Sequence, residues 1–229
     1  MMPLGGPRLF VREVRSCWTP VLQSACFWSR ASAEERRERR AQLKKELKKG
    51  YFADLEDFRK TGGKKFEAGS SLLPKQTSDK FPSLTGSTLS GRTIQFPNDM
   101  IGKTTVVLVS LRGIGQTMCD RYRNALESEP RQGVQVFEIV LLESRLYRWI
   151  QFWIERNLRK SIRPQERQDR FMCTGENTER LKESLPIENV LLGHSFLVDN
   201  DGLVRWKAHG VPTERETKSL IQCSKDLAA

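Results

Sequence analysis

No stretch of this chain is apolar for long enough to cross a membrane, since a helical span needs roughly 18 to 20 consecutive apolar residues and its apolar runs are far shorter. No two of its five cysteines, Cys17, Cys26, Cys119, Cys173 and Cys223, are spaced as CxxC. Scattered and odd in number, they indicate neither a zinc site nor a secreted disulfide framework, and reduced thiols are the default. Histidine is scarce. His194 and His209 lack metal-ligand spacing, so a structural role near a hairpin is expected and no metal or cofactor is. Acid is the minority charge, with 28 Asp and Glu against 39 Lys and Arg, a net +11 over 229 residues. That excess biases the protein towards anionic surfaces such as lipid headgroups or RNA.

The first 31 residues carry Arg8, Arg12, Arg15 and Arg30 against the single acid Glu13, interspersed with Phe10, Val11, Trp18, Phe27 and Trp28. Arg-rich, acid-poor and without the unbroken apolar core of a secretory signal, residues 1–31 are expected to be a mitochondrial transit peptide. SAEERRERRAQLKKELKK, residues 32–49, predicts a solvated basic helix with Ser32 at its N-cap. In residues 50–66 the aromatics Tyr51, Phe52 and Phe58 cluster with Leu55 before the Gly62-Gly63 break. Such a cluster either docks on the main domain or binds a partner. Residues 32–67 are therefore a basic helical and aromatic extension. Residues 68–83, rich in Ser and Pro, are a connector, and residues 84–229 are expected to form the main domain.

The domain opens with strand-like pieces around Gly91 ended by Pro97, an edge hairpin. TTVVLVSL, residues 104–111, is a strand buried on both faces. A helix follows over about 116–127, with Met118, Tyr122 and Leu126 at i, i+4, i+8, and VQVFEIVLL, 134–142, is a second buried strand. Strand, helix, strand implies a right-handed crossover with parallel pairing. RLYRWIQFWIERNLRK, 145–160, repeats apolar residues at helical spacing. Its Trp149, Phe152 and Trp153, flanked by arginines, form either a core stripe or a basic aromatic face for a membrane surface or an apolar partner. Residues 161–190 are polar and irregular, an expected insertion. FLVDNDGLVRW predicts a hairpin turning at residues 199–202, and a helix over 214–227 closes the chain.

The order strand, helix, strand, helix, antiparallel hairpin, helix resembles the thioredoxin-like fold, and the hairpin resembles that of peroxiredoxin-like members. The expected class is α/β, with a central mixed sheet flanked by helices and a basic N-terminal helical extension. On that resemblance Ile114 and Thr117 stand where the two redox cysteines would be, Gly193 and His194 replace the usual proline, and Cys119 falls inside the helix. No catalytic residue is assigned.

With YFADLEDFRKTGGKKF, FPNDMIGKTTVVLVSLRG and HSFLVDNDGLVRWKAHG taken together, the chain resembles the mitochondrial ATPase assembly factor family of the ATP-ten type. The resemblance implies a chaperone at the matrix face of the inner membrane, peripheral to it. Such a protein binds newly made ATP synthase subunit a and helps join it to the subunit c ring. Partner-binding residues are then sought among Trp149, Phe152, Trp153, Tyr51, Phe52 and Phe58, with basic residues meeting the membrane. Two alternatives stand beside it. One is a one-cysteine thiol peroxidase or reductase using Cys119, which lacks the activating residues such chemistry needs. The other is a mitochondrial RNA- or ribosome-associated protein, which has charge but no RNA-binding motif, so nucleic acid is not the favoured partner.

Overall fold

The computed structural model describes residues 50–129, 133–142, 145–162, 165–175 and 178–228, without the side chains of 145–151 and 179. The expected transit peptide and the basic helix of residues 32–49 lie outside the described residues.

Residues 50–61 form helix α1. The hairpin follows as β1, Leu84–Ser87, and β2, Thr93–Phe96, paired antiparallel as a separate two-stranded sheet. β3, Thr104–Ser110, leads through α2, Gly113–Ser128, to β4, Val134–Leu141. α3, Arg145–Ser161, and the short α4, Gln165–Gln168, precede β5, Phe171–Thr174; α5, Thr178–Ser184, then leads to β6, His194–Val198, β7, Val204–His209, and α6, Glu214–Ala228. The main sheet has the order β5-β4-β3-β6-β7. β3, β4 and β5 pair in parallel, whereas β6 runs antiparallel to both β3 and β7. A βαβ unit joined to a ββα unit, with the first strand of each paired at the centre, is the thioredoxin-like arrangement.

Each element follows from its composition. Every residue of β3 is buried, as a β-branched run covered on both faces requires. One face packs Val107 and Val109 with Phe137, Ile139 and Phe196. The other packs Val106 and Leu108 with Tyr122 and Leu126 of α2, Leu220 of α6 and Trp206 of β7. Met118, Tyr122 and Leu126 are buried as their spacing predicts.

The insertion expected at 161–190 is corrected by the structure. It contributes β5, all four residues of which are buried, in register from Glu138↔Phe171 to Leu141↔Thr174. Leu181, Leu185 and Ile187 also enter the core. A four-residue strand is too short to give a periodic signal, and its location becomes evident only once β4 offers an open edge.

Both sheet edges are covered, which blocks strand addition by other chains. At the β5 edge the Leu89 N–H donates to the Phe171 carbonyl at 2.8 Å. Along β7 the Ser- and Pro-rich stretch 68–83 supplies the cover: the Leu73 N–H donates to the Arg205 carbonyl at 2.7 Å, and Trp206 Nε1 donates to the Gly69 carbonyl at 2.7 Å.

The start of that cover is anchored by a buried ion pair. Glu216 on α6 has no exposed surface. Its carboxylate accepts from Lys64 Nζ, from the Ala68 N–H at 2.8 Å and from the Thr213 N–H at 3.0 Å. Lys64 Nζ also donates to the His209 carbonyl at 2.9 Å and the Val211 carbonyl at 3.0 Å. The double glycine before it is a geometric necessity: Gly62 and Gly63 have φ of 63° and 79°, and the Gly63 carbonyl oxygen lies 2.0 Å from where a Cβ on Gly210 would sit. Burial alone pushes the Glu216 carboxyl up, but the hydrogen bonds from Lys64, Ala68 and Thr213 outweigh it and hold it below the ordinary value of 4.5.

Lys64→Met leaves that carboxylate buried without its cation, and it is expected to lower the unfolding free energy by about 3 kcal/mol, measured by urea denaturation at pH 7. A depressed folded-state pKa contributes stability that is full above 4.5 and is lost as pH falls through the lower folded value. The gap between wild type and Glu216→Gln is therefore expected to narrow on acidification.

Candidate functional site

The end of β3 and the first turn of α2 form the place where an α/β sheet of this topology presents reactive groups. Here the turn offers none. Ile114 is 44% exposed, and the Thr117 hydroxyl turns back to the Gly113 carbonyl of its own helix at 3.1 Å. Opposite, the loop entering β6 presses on the same turn: a Cβ on Gly115 would lie 2.8 Å from the Leu192 carbonyl oxygen, and one on Gly193 would lie 2.4 Å from the Gly115 carbonyl oxygen. Only two glycines permit that approach. Beside it a crevice of about 280 Å³ runs between Arg112 and Gln116 on one side and Val140, Ile154 and Leu158 on the other.

Beneath the turn lies a polar chain that sequence inspection missed. The Ser110 hydroxyl donates to Gln116 Oε1 at 2.8 Å, and Gln116 Nε2 donates to Glu138 Oε2 at 3.2 Å. Arg167 donates bidentately to Glu138, at 2.6 and 2.8 Å, and to Asp120 Oδ1 at 2.9 Å. Glu138 is 3% exposed on the buried strand β4, and a lone acid inside VQVFEIVLL was the signal available for it. Its partner Arg167 lay in the polar segment and gave none. The bidentate bond ties α4 to the middle of the sheet.

This arrangement is the reverse of what activates a thiol. Cys119 is buried, with its thiol pointing at the Val109 carbonyl at 3.5 Å. Burial first, then the negative charges of Glu138 and Asp120, push that thiol far above its ordinary value, whereas reactive cysteines sit exposed beside positive charge. Burial likewise pushes Cys173 up to about 12, with Glu155 adding to it.

The aromatic candidates separate into groups. On α3, Ile154 and Leu158 are half-buried and Ile162 just beyond the helix is buried, the last two packing with Leu89 and Phe171. Phe152 and Trp153 face outwards, 65% and 61% exposed, edge to face with their centroids 6.3 Å apart, on a helix that also exposes Arg156, Arg159 and Lys160. The Trp149 side chain lies outside the described residues. On α1, Tyr51 and Phe52 are exposed, while Phe58 is half-buried with its ring against Gly63. Asn189 docks α1, donating to the Asp54 carbonyl at 2.9 Å and to Asp57 Oδ2 at 2.8 Å.

Strand order and helix placement thus define a thioredoxin-like domain with no cysteine at either redox position. Residues 24–227 match the family model described as ATP10 protein, and the chain belongs to that family. It is similar to the protein named mitochondrial ATPase complex subunit ATP10 of Eremothecium gossypii, 30% identical over 86% of this chain and 74% of that protein. It is also similar to that of Candida glabrata, 32% identical over 80% of this chain and 69% of that protein. Among solved structures it resembles BsSco, a member of the Sco family of cytochrome c oxidase assembly proteins, 12% identical with a TM-score of 0.45 over 66% of this chain and 95% of that one. That likeness adds nothing to the strand order.

Alkylation with iodoacetamide at pH 8 is expected to leave Cys119 unmodified in the native protein and to modify it fully in denaturant, as read by site-resolved mass spectrometry.

Proposed function

We propose that this protein is a non-enzymatic assembly factor for the mitochondrial F-type ATP synthase, working at the matrix face of the inner membrane. In this reading it binds newly made subunit a and promotes its joining to the subunit c ring. The observation that carries the reading is the family match across residues 24–227, to which relatives named as mitochondrial ATPase complex subunits belong. A binding role is supported by a redox turn occupied by Ile114 and Thr117 and by the burial of Cys119 beside Glu138.

The client-facing surface proposed here is the exposed side of α3, with Phe152 and Trp153 as apolar contacts and Arg156, Arg159 and Lys160 as a cationic rim. Trp149, Tyr51, Phe52 and Phe58 are the further candidates. Aromatic residues beside cations suit an apolar polypeptide at an anionic lipid surface, because the rings bury apolar area and the cations are attracted to headgroups. No helix among the described residues is long and apolar enough to cross a membrane, which accords with peripheral attachment.

Phe152→Ser combined with Trp153→Ser removes two exposed rings and leaves the inner face of α3 intact. The double variant is expected to keep the wild-type melting temperature while recovering at least about fivefold less subunit a in co-immunoprecipitation from mitochondria, as loss of about 1 kcal/mol of contact energy would produce. Normal ATP synthase assembly in cells lacking the protein would sink the reading.

A further inference from the structure

Helix α3 has a single acid, Glu155, and keeps it on the side turned to the sheet. That carboxylate is 23% exposed and lies 3.9 Å from the Arg159 guanidinium, and its charge adds to the rise of the Cys173 thiol on buried β5. Ile154 and Leu158, half-buried beside it, line the crevice next to the first turn of α2. From Phe152 to Lys160 the exposed residues are Phe152, Trp153, Arg156, Asn157, Arg159 and Lys160. At roughly 100° per residue they fall within one arc of about 160°, and that arc holds no acid.

The arc is also divided along the helix axis. Its rings and the centre of its three cations are roughly 9 Å apart at about 1.5 Å of rise per residue. Nothing else among the described residues claims those cations. Arg159 has only the long contact with Glu155, and neither Arg156 nor Lys160 has an ion pair or a side-chain hydrogen bond there. Basic side chains near a helix end often serve its last carbonyls, but here other groups do so. Gln168 Nε2 donates to the Arg159 and Ile162 carbonyls at 3.2 and 2.6 Å, and the Ser161 hydroxyl donates to the Leu158 carbonyl at 3.1 Å.

We propose that this arc docks directly on a bilayer surface carrying anionic phospholipid, with Arg156, Arg159 and Lys160 at the phosphates and Phe152 and Trp153 at the boundary with the acyl chains. An apolar polypeptide covers the rings and leaves the cations unanswered; an acidic one does the reverse. A lipid leaflet sets both chemistries side by side, anions at its surface and hydrocarbon just beneath. An in-plane helix buries its apolar face about 5 to 10 Å into that boundary, which the separation of rings and cations matches. The inference deepens the assembly reading, on which it rests for the membrane concerned, by naming lipid as what this face meets first and a client within the leaflet second.

The test places a photo-crosslinker in the full-length protein, as Phe152→p-benzoylphenylalanine, with Lys218→p-benzoylphenylalanine on exposed α6 as the control. Each protein is irradiated with vesicles of phosphatidylcholine alone and of phosphatidylcholine mixed equally with phosphatidylglycerol, and lipid mass added to the labelled peptide is read by mass spectrometry. Position 152 is expected to capture at least about fivefold more lipid on the anionic vesicles than on the neutral ones, the gain that cations near an anionic surface supply. Adding Arg156→Gln and Lys160→Gln is expected to remove that gain at an unchanged melting temperature, and position 218 is expected to capture no lipid. Absence of lipid at position 152, equal capture on both vesicles, or equal capture at 152 and 218 would overturn the proposal. So would irradiation in mitochondria that joins position 152 to polypeptide alone. The vesicles contain no ATP synthase subunit, so lipid capture is decided separately from the assembly reading, which recovery of subunit a decides.

Discussion

A carboxylate with no exposed surface has to be matched bond by bond, and two of the groups that match Glu216 come from one short segment of distant sequence. Lys64 and the Ala68 N–H both reach it, and the same lysine ammonium takes up the His209 and Val211 carbonyls at the end of β7. One cluster therefore joins the start of the edge cover, the last strand and the last helix. Its desolvation cost is offset only while all these donors are present, so it fixes a single path for the segment over the sheet. The glycines at 62, 63 and 210 are consequences of that path. With the segment in place, β7 is hydrogen-bonded on its outer side at Val204 and Arg205, Trp206 finds an acceptor at Gly69, and Lys65 is delivered to His209.

A second buried acid organises the other half of the domain. Glu138 holds Arg167 and, through Gln116, the first turn of α2. In a thioredoxin-like frame this turn is where chemistry is expected. Here the acids beneath it are tied up by Arg167, the loop before β6 is in backbone contact with it, and its cysteine is buried. The physical arrangement makes this a closed, tightly packed junction.

What remains open to solvent is on the flanks. The exposed side of α3 offers the rings of Phe152 and Trp153 beside Arg156, Arg159 and Lys160. On the assembly reading proposed above, that surface is the one that would meet an apolar partner at a membrane.

The strands, the amphipathic helices, the hairpin and the missing redox thiols were legible in the sequence, because each depends on residue type and on spacing within a few turns. β-branched runs, i, i+4 repeats and the DNDG turn are local statements of burial and dihedral preference. The family resemblance was legible for the same reason, since it rests on contiguous motifs. The tertiary structure alone decided the Lys64–Glu216 pair, the Glu138–Arg167 pair, the strand β5 and the pairing of His194 with His209 across β6 and β7. Each joins residues separated by many positions, and a buried polar group is recognisable only when its partner and its desolvation are both in view. Sequence placed an aromatic and basic stripe on α3; which of its rings point outwards was settled by where the sheet took Ile154, Leu158 and Ile162.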